Sequence, residues 1–285
     1  MNKSRFTVHF WGVRGSIPTP GQSTIRYGGN TSCIEMRCHG KRLIFDGGTG
    51  IRVLGDHLLK EMPVEAYIFF THTHWDHIQG FPFFTPAFVK GNTFHIHGKV
   101  SNNGDTIEKC LRNQMLDPNF PVPLGIMGSL KHFYNLDFGQ TIEIGNGVTV
   151  ETAKLNHPGD AMGYRVSWGN EAVVYATDTE HYPDRVDENL VHLARNADYL
   201  IMDCTYTDEE YWSKTSPRIG WGHSTWQEGV KVAKAAKVKH LVIFHHDPAH
   251  DDEFLDRIGE ELQSVLPHGM MAREGMVLAV ASGEV

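Results

Sequence analysis

The chain has 285 residues, 40% of them hydrophobic, enough for a sizeable core in one large domain or in two fused halves. Its 26 Lys and Arg stand against 34 Asp and Glu, a formal net charge of −8 that disfavours non-specific nucleic-acid binding. Four cysteines without a Cys-x-x-Cys are too few for a disulfide scaffold and read as buried thiols, and no run nears the ~18 apolar residues of a membrane span.

Lys3 and Arg5 are not followed by an apolar stretch, so no signal peptide is expected and the chain reads as cytoplasmic. Phe6 to Trp11 alternates as a strand, and Gly12 to Asn30, rich in Gly, Pro, Ser and Thr, reads as a loop. Cys33–Met36 and Leu43–Phe45 form a strand pair turned at His39-Gly40, and Asp46-Gly47-Gly48-Thr49-Gly50 turns into a helix ending near residue 60. Tyr67–Phe70 is a buried strand. Residues 91–123 are less regular, with a helix over Thr106–Met115 and a Pro-rich stretch suited to a pocket wall or lid. Strands follow at Thr141–Ile144 and Val148–Thr152, then a hairpin of Gly163–Trp168 and Ala172–Tyr175 around Gly169-Asn170. A helix near 187–195 precedes the strand Tyr199–Met202. Thr225-Trp226-Gln227-Glu228 fits a capping box for a helix to Ala236. Leu241–Phe244 is a strand, Phe254–Leu266 a helix and Met276–Val280 a last strand. Paired strands with helices between them imply an α/β architecture of mixed sheets covered by helices, read as one domain over residues 1–285.

The run Thr71-His72-Thr73-His74-Trp75-Asp76-His77 directly follows Tyr67–Phe70. It sets three imidazoles and a carboxylate within six positions. Desolvating that many polar groups at a buried strand end is costly unless a metal satisfies them, and neutral imidazole and carboxylate are usual zinc ligands. The same placement recurs: His157, Asp178, Asp203 and His245 each follow an apolar strand, and strand ends meeting at one edge are where α/β folds build sites. Taken alone, Asn156-His157-Pro158-Gly159 and Thr177-Asp178-Thr179 are ordinary turns.

The His-x-His-x-Asp-His cluster followed in order by His157, Asp178 and His245 resembles the metallo-β-lactamase superfamily, and the likeness runs from about Phe6 to Val280. It implies an αββα sandwich of two mixed β-sheets with two divalent metal ions, zinc in the first instance with manganese or iron as alternatives. On that resemblance His72, His74 and His157 hold one ion, Asp76, His77 and His245 the second, and Asp178 bridges both. Asp46 matches the superfamily's buried structural aspartate. Two ions about 3.5–4 Å apart share a hydroxide that attacks the substrate, so no Ser or Cys nucleophile is needed.

His223, in Gly222-His223-Ser224-Thr225, matches the additional histidine of the phosphodiesterase branch, which includes the tRNA 3′-processing endonuclease and small cyclic phosphodiesterases. Ahead of a helix N-terminus it could face an anion together with free backbone amides, and bind a phosphoryl oxygen or protonate the leaving oxygen. Asp76 is a second catalytic candidate, as acceptor of a proton from the attacking water. In the endonuclease a tRNA-gripping arm lies between the third-motif histidine and the bridging aspartate. Here only 21 positions separate His157 from Asp178, and the chain is acidic, so a small or cyclic phosphodiester is expected in preference to folded tRNA. No membrane partner is expected, and a homodimer is compatible with the sequence. A carboxylic ester, lactone or thioester hydrolase on the same metals is the alternative. His245 competes with His246, and register against Leu241–Phe244 favours His245. His250, Asp251 and Asp252 read as an acidic helix start. Asp203 is open between partner to a ligand histidine and plain strand-end carboxylate. Arg14 and Arg26 read as loop arginines, and His9, His39, His95 and His97 as structural or surface residues.

Overall fold

The computed structural model describes residues 6–280. In chain order the strands and helices are β1 Phe6–Gly12, β2 Cys33–Cys38, β3 Lys41–Phe45, α1 Gly50–Leu58, β4 Glu65–Phe69, α2 Trp75–Ile78, β5 Thr93–Lys99, α3 Ile107–Gln114 and β6 Leu130–Leu136. They continue as β7 Thr141–Gly145, β8 Val148–Leu155, β9 Ala161–Trp168, β10 Glu171–Ala176, α4 Glu188–Ala194, β11 Tyr199–Asp203 and α5 Asp208–Tyr211. The last are α6 Trp226–Ala236, β12 His240–Phe244, α7 Asp252–Val265, β13 Gly269–Met271 and β14 Val277–Ala279.

Two seven-stranded sheets form, ordered β14-β1-β2-β3-β4-β5-β6 and β13-β12-β11-β10-β9-β8-β7. Alternation decides which side chains meet between them. In β1 Phe6, Val8 and Phe10 point inward, and with Phe45 and Phe69 they pack on Val150, Tyr164, Tyr175, Ile201 and Phe244 of the other sheet. The outer faces are covered by helices: Ile51, Leu54 and Leu58 of α1 pack on Ile44, Ile68 and Ile96, and Leu190, Val230, Ala233 and Leu262 pack on Val174, Leu200 and Leu241. This is the αββα sandwich the sequence implied. Among the described residues no helix is long and apolar enough to cross a membrane.

Parallel pairing places the site. β3 to β6 run parallel in one sheet and β10 to β13 in the other, so the carboxyl ends of each run fall on a common edge. Asp46, Thr71-His72, Thr177-Asp178, Asp203 and His245 all sit at those ends.

Three strands escaped the sequence reading: β5, β6 and β13. β5 alternates buried Phe94 and Ile96 with His95 and His97, which serve as flat aromatic units on a sheet face. His95 stacks on Tyr67 at 4.7 Å between ring centroids, and His97 lies between Phe69 at 4.5 Å and Tyr134 at 4.7 Å. The capping box also falls elsewhere. Thr225 accepts from Glu228 N, but the Glu228 carboxylate goes to Lys231; the reciprocal box is Thr207 with Glu210, at the start of α5.

Candidate metal centre

Three residues at the strand ends, Asp46, Asp178 and His245, have left-handed backbone angles, with φ of 61°, 58° and 63°. Non-glycine residues enter that region at a cost, and such strain is concentrated at functional sites. Each takes it at or just after a strand end, where the chain must turn its next side chain over the sheet edge.

Those side chains meet. One donor set comprises His72, His74, His157 and Asp178, a second Asp76, His77, Asp178 and His245, and within each set the donor atoms lie within 4.8 Å of one another. Asp178 belongs to both sets through different oxygens. Its Oδ2 is 3.6 Å from His72 Nε2 and from His157 Nε2, while its Oδ1 is 3.1 Å from His77 Nε2 and 3.2 Å from His245 Nε2. Asp76 Oδ2 lies 3.2 Å from both His77 Nε2 and His245 Nε2. His74, the one exposed member, turns Nδ1 toward His157 Nε2 at 3.1 Å.

The far sides of the rings are anchored, which leaves the near nitrogens as lone pairs. His77 Nδ1 donates to Asp46 at 2.8 Å, His157 Nδ1 donates to the Gly222 carbonyl at 2.9 Å, and His72 Nδ1 is 3.0 Å from Thr71 Oγ1. His245 Nδ1 faces Thr205 Oγ1 at 3.1 Å, and Ser16 N–H donates to Asp76 Oδ2 at 2.8 Å. Close approach is built in: a Cβ on Gly15 would overlap the His245 ring, and one on Gly222, whose φ is 87°, would overlap His157.

Divalent cations fit this donor set. His72 Nε2 and His77 Nε2 are buried without a hydrogen-bond partner, a costly arrangement for a centre made only of protein atoms. Burial pushes the His72, His74 and His157 imidazoles below their ordinary range, keeping them neutral as ligands must be. Burial also opposes ionisation of Asp178, but His245, His77 and His72 outweigh it and hold the carboxyl well below its usual value. Burial would likewise lower His77, yet Asp178, Asp76 and Asp46 raise it well above its ordinary value.

His223 lies beside the second set. Its ring stacks on His245 at 4.8 Å and its Nδ1 donates to Asp203 Oδ2 at 2.8 Å, leaving Nε2 free. Burial opposes its protonation, but the Asp203 carboxylate raises it to about 9. Two of the amides at the helix start are already committed: Trp226 N donates to Tyr206 O and Glu228 N to Thr225 Oγ1. Asp203 also accepts from Thr179 N and Thr205, so it is a hub and not a bare strand-end carboxylate.

His246 is turned away, with Nε2 donating to Ala272 O at 2.8 Å, so His245 is the histidine at the centre. Asp251 caps α7 through Phe254 N, and His250 and Asp252 bind Glu210 and the Arg26 and Tyr27 amides, all apart from the cluster. Arg14 is fully buried against carbonyls of Gly28, Asp247 and His250, a structural clamp where a solvated loop residue was expected. No sequence signal pointed to Glu180, which accepts from Gly220 N, Gly222 N and Tyr211 and fixes the loop that holds His157. A cleft of about 170 Å³ opens beside His72 and His74, lined in part by Lys99, Asn102, Asn103 and Asp160 from the 91–123 segment and the turn after His157.

The fold and these residues define a protein of metallo-β-lactamase type whose two donor sets suit divalent cations. A family profile for the β-lactamase superfamily domain matches residues 41–246, and the chain belongs to that superfamily. Ribonuclease Z of Treponema pallidum (strain Nichols) is 22% identical over 341 aligned positions, covering 100% of this chain and 99% of the relative. The metallo-β-lactamase fold protein YhfI from Bacillus subtilis superposes with a TM-score of 0.71 at 19% identity, covering 97% of this chain and 99% of YhfI. The short form of human tRNase Z superposes with a TM-score of 0.67 at 20% identity, covering 97% and 100%.

These likenesses correct one expectation. Full-length relatives named ribonuclease Z and tRNase Z remove the ground for setting folded tRNA aside. The physical reason is that a net charge of −8 sums the whole surface, whereas substrate is met locally, and a short His157–Asp178 connection says nothing about other contact surfaces.

Proposed function

We propose that this chain is a binuclear metal-dependent phosphodiesterase, with His72, His74 and His157 holding one ion, Asp76, His77 and His245 the other, and Asp178 shared. The observation that carries the reading is the split of the Asp178 carboxylate, one oxygen toward each donor set. Nitrogen and oxygen donors without thiolate suit zinc, with manganese and iron as alternatives. Bound there, the ions would supply an activated water and neutralise charge on the phosphoryl group.

The protein's own groups do the rest. Asp76 Oδ2, oriented by Ser16 N–H, is placed to accept a proton from the attacking water. His223, fixed through Nδ1 by Asp203, directs Nε2 over the centre to bind a phosphoryl oxygen or give a proton to the leaving oxygen. Glu180 and Gly222 keep His157 and the 213–222 loop in register with it.

The test combines metal analysis with hydrolysis of bis(p-nitrophenyl) phosphate in zinc or manganese. Two ions per chain and metal-dependent turnover are expected, and Asp178→Asn should lose both. Absence of turnover on every phosphodiester tried would defeat the reading. Lactone opening that survives His223→Ala unchanged would instead favour a carboxylic ester hydrolase.

A further inference from the structure

The cleft beside the first donor set is lined by His72, Thr73 and His74 of the 72–77 run and, facing them in the chain's order, by Lys99, Asn102 and Asn103 from the end of β5 and the turn after it. At about 170 Å³ it is smaller than the ~300–1,000 Å³ of pockets that enclose a whole small molecule. It therefore suits one substituent of a substrate whose phosphorus lies at the centre.

Lys99 is the only lysine or arginine lining this cleft among the described residues. Its Nζ donates to Gly159 O at 2.8 Å and to Asn102 Oδ1 at 3.2 Å, which leaves one of its three N–H groups over. Among the described residues no carboxylate pairs with it. Asp160, the acid that lines the cleft, is 2.8 Å from Lys154 Nζ instead. Burial lowers the Lys99 ammonium from its ordinary value, Asp160 offsets this only in part, and Lys154 adds to it. Asn102 spends its side-chain oxygen on Lys99, so its NH2 remains as a second donor. A brace from β5 to the turn after His157 needs one neutral donor to Gly159 and gives no reason for a half-buried cation without a counter-ion.

We infer that Lys99 and Asn102 form a subsite for a second anionic group of the substrate, a phosphate or a carboxylate, distinct from the phosphodiester at the centre. This rests on the phosphodiesterase reading and adds the substituent that the enzyme selects. An ammonium short of a partner gains most from a charge-assisted hydrogen bond, and such bonds are about twice as strong as neutral ones.

The test uses the metal-loaded full-length protein and p-nitrophenyl alkyl phosphates, which share one leaving group. The alkyl arm, two to four methylenes long, ends in phosphonate, carboxylate or methyl. The wild type should prefer the best anionic ester over its methyl counterpart by about tenfold or more in kcat/KM, mostly through KM, and the larger of the two anionic preferences identifies the group. In Lys99→Met that ratio should fall close to one, Lys99→Arg should keep most of it, and Asn102→Ala should lower it by about threefold. Calorimetric binding of propane-1,3-bisphosphonate against propylphosphonate, in the same proteins, makes the comparison without turnover. Equal kcat/KM for anionic and methyl esters, or a preference undiminished in Lys99→Met, overturns the inference. So does a Lys99→Met protein whose preference falls only in step with its metal content, which would make Lys99 a brace for His157. A methyl ester that is not turned over at all counts against the phosphodiesterase reading instead, and the calorimetry then decides the subsite.

Discussion

Asp46 accepts a hydrogen bond of 2.8 Å from His77 Nδ1, and both side chains are fully buried. The same carboxylate accepts from Thr71 N at 2.8 Å and Tyr175 OH at 2.9 Å, so it ties the two sheets together beneath the candidate metal centre. Asp46→Asn keeps the shape but removes the charge and an acceptor. It is expected to cost about 2–4 kcal/mol in urea unfolding and to empty first the set of Asp76, His77 and His245. A variant with wild-type stability and two tightly held ions would contradict this.

Gly15 and Gly222 offer a test resolved by site. A methyl at residue 15 intrudes on His245, and one at 222 on His157, where φ of 87° adds strain. Gly222→Ala should therefore weaken the ion at His72, His74 and His157, and Gly15→Ala the other. Cobalt substitution followed by absorption titration separates the two, and identical losses in both variants would be inconsistent with the assignment.

Asp203 holds His223 through its Nδ1, and in the proposed reaction it would act on substrate through that ring. Asp203→Asn should lower kcat on a phosphodiester about 10- to 100-fold with KM nearly unchanged and metal content retained. If metal is lost in step with activity, Asp203 serves the ligands and not His223.

His97 gives the protein a pH-dependent stability away from the centre. Burial lowers its imidazole from 6.5 to about 4, against the opposing backbone hydrogen bonds of His95 and Ile68. Between those values the unfolded chain binds more protons than the folded one. The contribution is complete above pH 6.5 and is lost as pH falls toward 4, with an upper bound of ~3 kcal/mol. Urea midpoints in EDTA should fall faster between pH 7 and 4.5 for the wild type than for His97→Phe. Parallel curves would rule His97 out.

The 72–77 cluster was legible because a buried strand that ends in three imidazoles and a carboxylate has few other physical explanations. His157 and Asp178, ordinary turn residues taken alone, were legible with His245 through the resemblance of their order to the metallo-β-lactamase superfamily. β5 was not, because His95 and His97 read as polar while in the sheet they act as flat aromatic rings stacked on Tyr67 and Phe69. Glu180 was invisible because its partners are backbone amides forty positions away, in a loop with no periodic signal. The tRNA expectation failed because it drew a local property from a sum over the whole chain.

The sequence by itself determined the chemistry of the donors and an architecture of mixed sheets covered by helices, since residue type and the alternation of apolar positions are written along the chain, and the family resemblance implied the αββα layering. Only the tertiary structure decided that His245 and not His246 faces the centre and that Asp178 offers one oxygen to each donor set. Those outcomes depend on parallel register and on a left-handed turn at a strand end, which bring together side chains more than a hundred positions apart, such as His77 and Asp178.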